Sequence, residues 1–201
     1  MSARFRSLAM SNFRLFIALD PTPETVAVLR RAQVCLRDVH WSGARWLPPE
    51  QWHATLRFLG ATPEDQVQHW KRTLQQFDVL ARDAAPLPID GVAIWPAPAH
   101  PRVIVVTAKY AIWAQDMATR LEARARAAGY RAETRAFHPH VTLARVGVHA
   151  ASARCLAAVD NAARALDGAH LQFGSVSLFV SRSPAEGPAY ERLATMEFRP
   201  N

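Results

Sequence analysis

The chain has 201 residues, half of them hydrophobic and a fifth charged, with 24 Lys+Arg against 17 Asp+Glu and a net charge of +7. This composition excludes a disordered chain, and the length suits one domain of moderate size or two small lobes that share a core. No apolar run approaches the ~18 residues of a membrane span, so no membrane association is expected, while the excess of base favours a polyanionic partner. The positive charge is almost wholly arginine, with Lys71 and Lys109 the only lysines. Arginine's planar fork suits phosphate and base recognition, although a generally basic surface with no specific partner has the same composition. Cys35 and Cys155 are too few for a disulfide framework or a metal cluster. They read as small core residues in a reducing, cytoplasmic setting.

Residues 1–12 are expected to be a disordered leader, and 13–201 a single domain. "FRLFIAL" (Phe13–Leu19) reads as a buried strand. A helix follows to about Val39, with Thr22 as cap, Pro23 in the first turn, and Val26, Leu29, Val34 and Leu36 facing inward. After the turn-rich "ARWLPPEQ", the His53 segment reads as a strand through Leu59, ended by Gly60. Thr62 and Pro63 open a second helix in the same manner, reaching about Ala81. "PLPIDGVAIWP" and "RVIVVTA" are strands, and a helix from Ala111 to Ala128 closes at Gly129. "FHPHVTLARV" is a strand, a helix lies near Ser152–Leu166, and two strands end the chain around a turn at Pro184–Gly187.

The order β-α-β-α-β-β-α-β-α-β-β falls into two similar halves and predicts an α+β fold. A parallel α/β sheet is the alternative, disfavoured by the hairpin-like strand pairs at 87–107 and 171–198. Neither a Gly-x-Gly-x-x-Gly turn nor a Walker loop is present, which argues against dinucleotide or ATP-hydrolysing sites.

One small figure recurs: His53-Ala54-Thr55-Leu56 and His140-Val141-Thr142-Leu143. On a strand, residues two apart share a face, so each segment sets a His/Thr pair against an apolar back. If the two pairs face one cleft, one neutral histidine can take a proton from water and the other, protonated, can supply one to a leaving oxygen. The threonine hydroxyls can donate to non-bridging phosphate oxygens, and no metal or cofactor is needed. Taken singly, a strand histidine is more often structural and a strand threonine simply a good strand former. Repetition in a basic chain favours the phosphodiester reading. His138 and His140 could instead be two of three zinc ligands, but no third ligand stands at convincing spacing, and His138 is read as a cleft-edge residue.

With the flanks "RLFIALDP", "ARWLPPEQWHATLRFLG", "HPRVIVV", "FHPHVTLAR" and "VSLFVSRSPAEGPAYERLATMEF", the chain resembles the two-histidine (2H) phosphoesterases. Within them it resembles the RNA 2′,3′-cyclic phosphodiesterases, also called 2′-5′ RNA ligases. The resemblance implies a bilobal, pseudo-symmetric fold with two antiparallel sheets flanked by helices around a central cleft. It also implies hydrolysis of an RNA 2′,3′-cyclic phosphate end to a 2′-phosphate, with His53 as general acid, His140 as general base, and Thr55 and Thr142 as phosphate clamps. Phe58 and Arg145, five residues after each histidine, correspond to positions that grip the terminal base. Strict alternation places them on the face away from the histidines, and puts Arg57 on the cleft face, where it could contact phosphate. Phe58 has the alternative of packing in the core. His138 stands where the family often has a basic residue. A nucleotide- or RNA-binding role without turnover, and reversible 2′-5′ joining of RNA, are the competing functions; a monomer is expected.

Overall fold

In the computed structural model, which describes residues 12–77, 84–149, 151–182 and 189–198, the first apolar run forms strand β1 (Asn12–Pro21). Its side chains alternate, with Leu15, Ile17 and Leu19 entering the main core. Phe16 and Ala18 face the other way and meet Phe179. Both faces are covered, which is why the run is continuously apolar. β1 pairs antiparallel with β3 (Ala54–Pro63) and β8 (Phe173–Arg182), and β9 (Ala189–Glu197) adds to β8, giving the order β3-β1-β8-β9. A second antiparallel sheet is built from β2 (Arg45–Trp46), β4 (Leu87–Ala97), β5 (His100–Ala108), β6 (His140–Arg145) and β7 (His170–Leu171). Its order is β2-β6-β5-β4-β7.

Among the described residues four α-helices cover these sheets: α1 (Pro23–Arg37), α2 (Glu64–Gln75), α3 (Ile112–Ala127) and α4 (Ala153–Ala165). α1 and α4 pack on each other and on the second sheet, while α2 and α3 lie against the first. One continuous core runs through both lobes, from Ile17 and Leu19 to Ile104, Val106 and Leu143. The class is the expected one: α+β, bilobal and pseudo-symmetric. Among the described residues the element order departs from the expected one by the 3₁₀ turn Pro49–Gln51 and by β2 and β7, two-residue strands too short to show a period.

Local differences have identifiable causes. Thr22 caps α1, accepting from the Thr25 amide at 3.4 Å. The buried stripe of α1 is Thr25, Leu29, Ala32 and Leu36; Val34, two residues from Leu36 and so across the helix, is 71% exposed. Gly60 does not end β3. It sits inside the strand at φ +72, beside a register shift opposite Leu15 and Phe16. Nor does Thr62 cap α2: it is fully buried in β3, pairs with Phe13 and donates to the Gly60 carbonyl at 3.2 Å. The N-cap is Pro63, with no side-chain bond. A ten-residue β1 offers pairing out to Asn12 opposite Pro63, and that ladder overrides the local cap signal. Gly129, at φ +84, closes α3 as expected. Residues 1–11 of the expected leader, Ala81 and the Pro184–Gly187 turn fall outside the described residues, whereas Asn12 belongs to β1 and α2 ends at Gln75, short of the expected Ala81.

Candidate active site

The two motif segments share one burial sequence. From His53 it runs half-buried, buried, half-buried, buried, buried, exposed to Phe58; from His140 it runs identically to Arg145. Two adjacent buried positions break a period of two, and the register explains the break. β1 pairs Ala18 with Thr55 but Ile17 with Arg57, leaving Leu56 as an extra residue. β5 pairs Val105 with Thr142 but Ile104 with Ala144, leaving Leu143 extra. A bulge directly after each threonine therefore returns the fifth residue to the His/Thr face and sends the fourth away from it.

Alternation is corrected on both counts. Phe58 is 55% exposed on the cleft side, its ring 5.8 Å from Phe16. Arg57 is 6% exposed, with Nε 2.7 Å from Glu122 Oε2 on α3. Its Nη2 donates to the Arg131 carbonyl at 2.6 Å and its Nη1 to the Phe58 carbonyl. Arg57 borders the cavity with its Nε, Nη1 and Nη2 each turned to one of those acceptors.

The histidines are held alike. His53, just before β3, has Nδ1 2.7 Å from the Gln51 carbonyl. His140, the first residue of β6, has Nδ1 2.7 Å from the His138 carbonyl. A carbonyl only accepts, so each Nδ1 carries its hydrogen and each Nε2 is the basic nitrogen of the neutral ring. The short 3₁₀ turn Pro49–Gln51 and the residue pair His138–Pro139 supply carbonyls at the same offset, two residues upstream. Thus the pseudo-symmetry extends to the tautomer.

A cavity of about 870 Å³ opens between the lobes, bordered by Thr55 and Phe58 from β3 and by His140, Thr142 and Arg145 from β6. His53 is half-buried beside it, 4.9 Å from the Phe16 ring and edge-on to Tyr190 at 5.2 Å. The His140 ring lies 4.6 Å from Trp95, and exposed His138 is at 5.7 Å from the same indole. Burial pushes the His53 pKa down to about 4, opposed by the Gln51 carbonyl and by Asp20, and helped by the charges of His140 and Arg145. Burial also lowers His140, again against its carbonyl bond, with His138 and Arg135 adding to the decrease. The influence of His140 and Arg145 on His53 places the two motifs within electrostatic reach.

Sequence reasoning passed over Trp95, Phe16, Tyr190 and Asp20. Asp20 accepts from Ser175 at 2.8 Å and Ser177 at 2.5 Å, and pairs with Arg192 at 2.6 Å. The available signal was its even spacing from Phe16 and Ala18, hidden because every other position of β1 is also apolar. Among the described residues no three His, Cys, Asp or Glu side chains are grouped to hold a metal ion. No helix among them is long and apolar enough to cross a membrane.

Two successive stretches, 19–105 and 107–190, match the family model "LigT like Phosphoesterase", one stretch for each motif. The chain belongs to this family of two-histidine phosphoesterases. The RNA 2′,3′-cyclic phosphodiesterase of Bacillus subtilis (strain 168) is 29% identical over 103 residues, half of this chain and 55% of that protein. TT0787 of Thermus thermophilus superimposes with a TM-score of 0.72 at 28% identity, covering 93% of this chain and 98% of that one. The fold is shared with E. coli LigT complexed with 3′-AMP, at TM-score 0.62 and 18% identity over 94% and 99% of the two chains.

Proposed function

We propose that the protein is an RNA 2′,3′-cyclic phosphodiesterase that opens the cyclic phosphate to a 2′-phosphate. The observation that carries this reading is the matched pair of Nδ1–carbonyl bonds, which leaves Nε2 as the basic nitrogen of both motif histidines; His140 borders the cavity, and His53 lies within electrostatic reach of His140. Water attacks phosphorus in line with the P–O3′ bond, losing its proton to His140 Nε2. The P–O3′ bond breaks as O3′ takes a proton from His53 Nε2. Thr55 and Thr142 donate to the non-bridging oxygens as their charge grows. Phe58 and Arg145 hold the terminal base by stacking.

The charges around the rings are divided: Asp20 favours the protonated form of His53 while His140 and Arg145 oppose it, and His138 and Arg135 both favour neutral His140. The division of roles rests on the resemblance to the family. The substrate phosphate supplies further negative charge that offsets burial at both. The name of the B. subtilis relative and the nucleotide in the E. coli structure agree with this substrate class.

Analysis of the product end tests the proposal. A 2′-phosphate from a cyclic substrate is the expected product; a 3′-phosphate excludes expulsion of O3′, and binding without turnover points to a nucleotide-binding role. Joining of a cyclic-phosphate end to a 5′-hydroxyl end would reveal 2′-5′ ligation, the same ring opening with the hydroxyl in place of water. Thr55→Val and Thr142→Val are each expected to lower kcat by about 10²-fold, measured with the same substrate, since each removes one donor to the developing charge.

A further inference from the structure

β2 is two residues long, and its register sets Arg45 directly opposite Arg145, with Trp46 opposite Ala144. Trp46 turns toward α1, where the Arg37 guanidinium lies 5.3 Å from its ring centroid. Arg45 is therefore on the other face, the cleft face that Arg145 occupies. Directly opposed strand residues have Cβ atoms roughly 4.5–5.5 Å apart, and like charges at that spacing destabilise a sheet. Among the described residues the ion pairs engage Arg57, Arg135, Arg182 and Arg192, so no carboxylate answers Arg45 or Arg145. Arg145 acts as uncompensated charge, depressing the His53 pKa from across the cleft. Two neighbouring guanidinium groups with no internal acceptor are a ready site for an external anion.

Position identifies the anion. Arg145 lies beyond Thr142 on β6, and β2 is the edge strand of its sheet, so the pair marks a track from the proposed reacting phosphate to the outside. The cavity, about 870 Å³, is near the upper end of the roughly 300–1,000 Å³ of small-molecule sites, leaving room past a single nucleotide. We propose that Arg45 and Arg145 form a second phosphate subsite, holding the phosphodiester on the 5′ side of the terminal nucleotide. The inference rests on the proposed RNA-end activity and narrows it to oligonucleotide ends. Arg145 then serves twice, with its planar face toward the base and its N–H edge toward the upstream phosphate.

The test compares a nucleoside 2′,3′-cyclic monophosphate with a dinucleotide that ends in the same cyclic phosphate. Wild-type protein is expected to have the higher kcat/KM on the dinucleotide. Arg45→Ala should cut that preference about tenfold, the loss of one charge-assisted hydrogen bond. Arg45→Lys should restore part of it. For binding of a 3′-phosphorylated dinucleotide, the log–log salt slope should fall by about 1 in Arg45→Ala. An unchanged preference, or an equal fall on both substrates, overturns the subsite; the latter means that the pair grips the reacting phosphate itself. Should neither substrate be hydrolysed, the proposed activity fails, while the salt slope of dinucleotide binding still decides the subsite.

Discussion

Alanine at His53 or at His140 is expected to lower kcat for a 2′,3′-cyclic phosphate by about 10²–10⁴-fold, the usual contribution of a positioned acid or base. Each ring is fixed through Nδ1, so Nε2 is the proton-carrying nitrogen that truncation removes. The double variant should be little worse than the weaker single one, because the two act in one step. Full activity in either single variant, with folding verified by circular dichroism, would sink the assignment. The pH dependence carries a second signature. Burial holds both imidazoles below their ordinary range in the free protein, His53 at about 4. The form that reacts has one ring neutral and one charged, so kcat/KM should peak between the two lowered values, below pH 6.5, and decline as pH rises further. Once bound, the substrate's negative charge favours the imidazolium, so the alkaline limb of kcat should lie at higher pH than that of kcat/KM.

The same lowered pKa has a consequence for stability, with a definite sign. Between about pH 4 and 6.5 the unfolded chain binds a proton at His53 that the folded chain does not. Stability therefore rises with pH through this window, and acid below pH 6.5 weakens the fold. A urea midpoint that falls from pH 7 to pH 5 in wild type, and falls less in His53→Gln, is the expected observation.

How much of this was legible in the sequence depends on which signal each feature left. The His-x-Thr-Leu repeat predicted two polar faces with apolar backs, and His53, Thr55, His140 and Thr142 have those positions because an i, i+2 relation survives any strand twist. Helix starts were readable where the cap acts alone, as at Thr22. They failed at Thr62, where pairing with β1 outcompetes the local turn. The bulges at Leu56 and Leu143 left no trace, since neither carries the glycine or proline that usually advertises one. Strict alternation consequently gives the wrong face beyond them, so Arg57 and Phe58 exchange places relative to it, while the family resemblance itself puts Phe58 and Arg145 at the base. Tertiary partners such as Trp95 and Tyr190 had no local signal at all, because their proximity to His140 and His53 arises only from sheet order.

The exchange makes Arg57 a structural prediction instead of a phosphate ligand. Glu122 uses Oε2 for Arg57 and Oε1 to accept the Glu133 amide at 3.2 Å, while Arg57 also donates to the Arg131 carbonyl. The pair thus ties the first motif strand to the segment that leads into the second. Arg57→Ala leaves a partly buried carboxylate and two carbonyls without their donor. Breaking a fully buried pair costs about 3–5 kcal/mol, and the 26% exposure of Glu122 brings the expectation to about 2–3 kcal/mol. For a chain of this length, that is a fall in Tm of very roughly 5–10 °C. Adding Glu122→Gln should recover part of the loss, because the stranded charge is removed with its partner. A phosphate ligand behaves oppositely: its alanine variant melts normally, loses kcat/KM, and shows a shallower salt dependence. Thermal melts of the single and double variants, set beside their kcat/KM, decide between the two, and the buried guanidinium predicts that the melting temperature moves first.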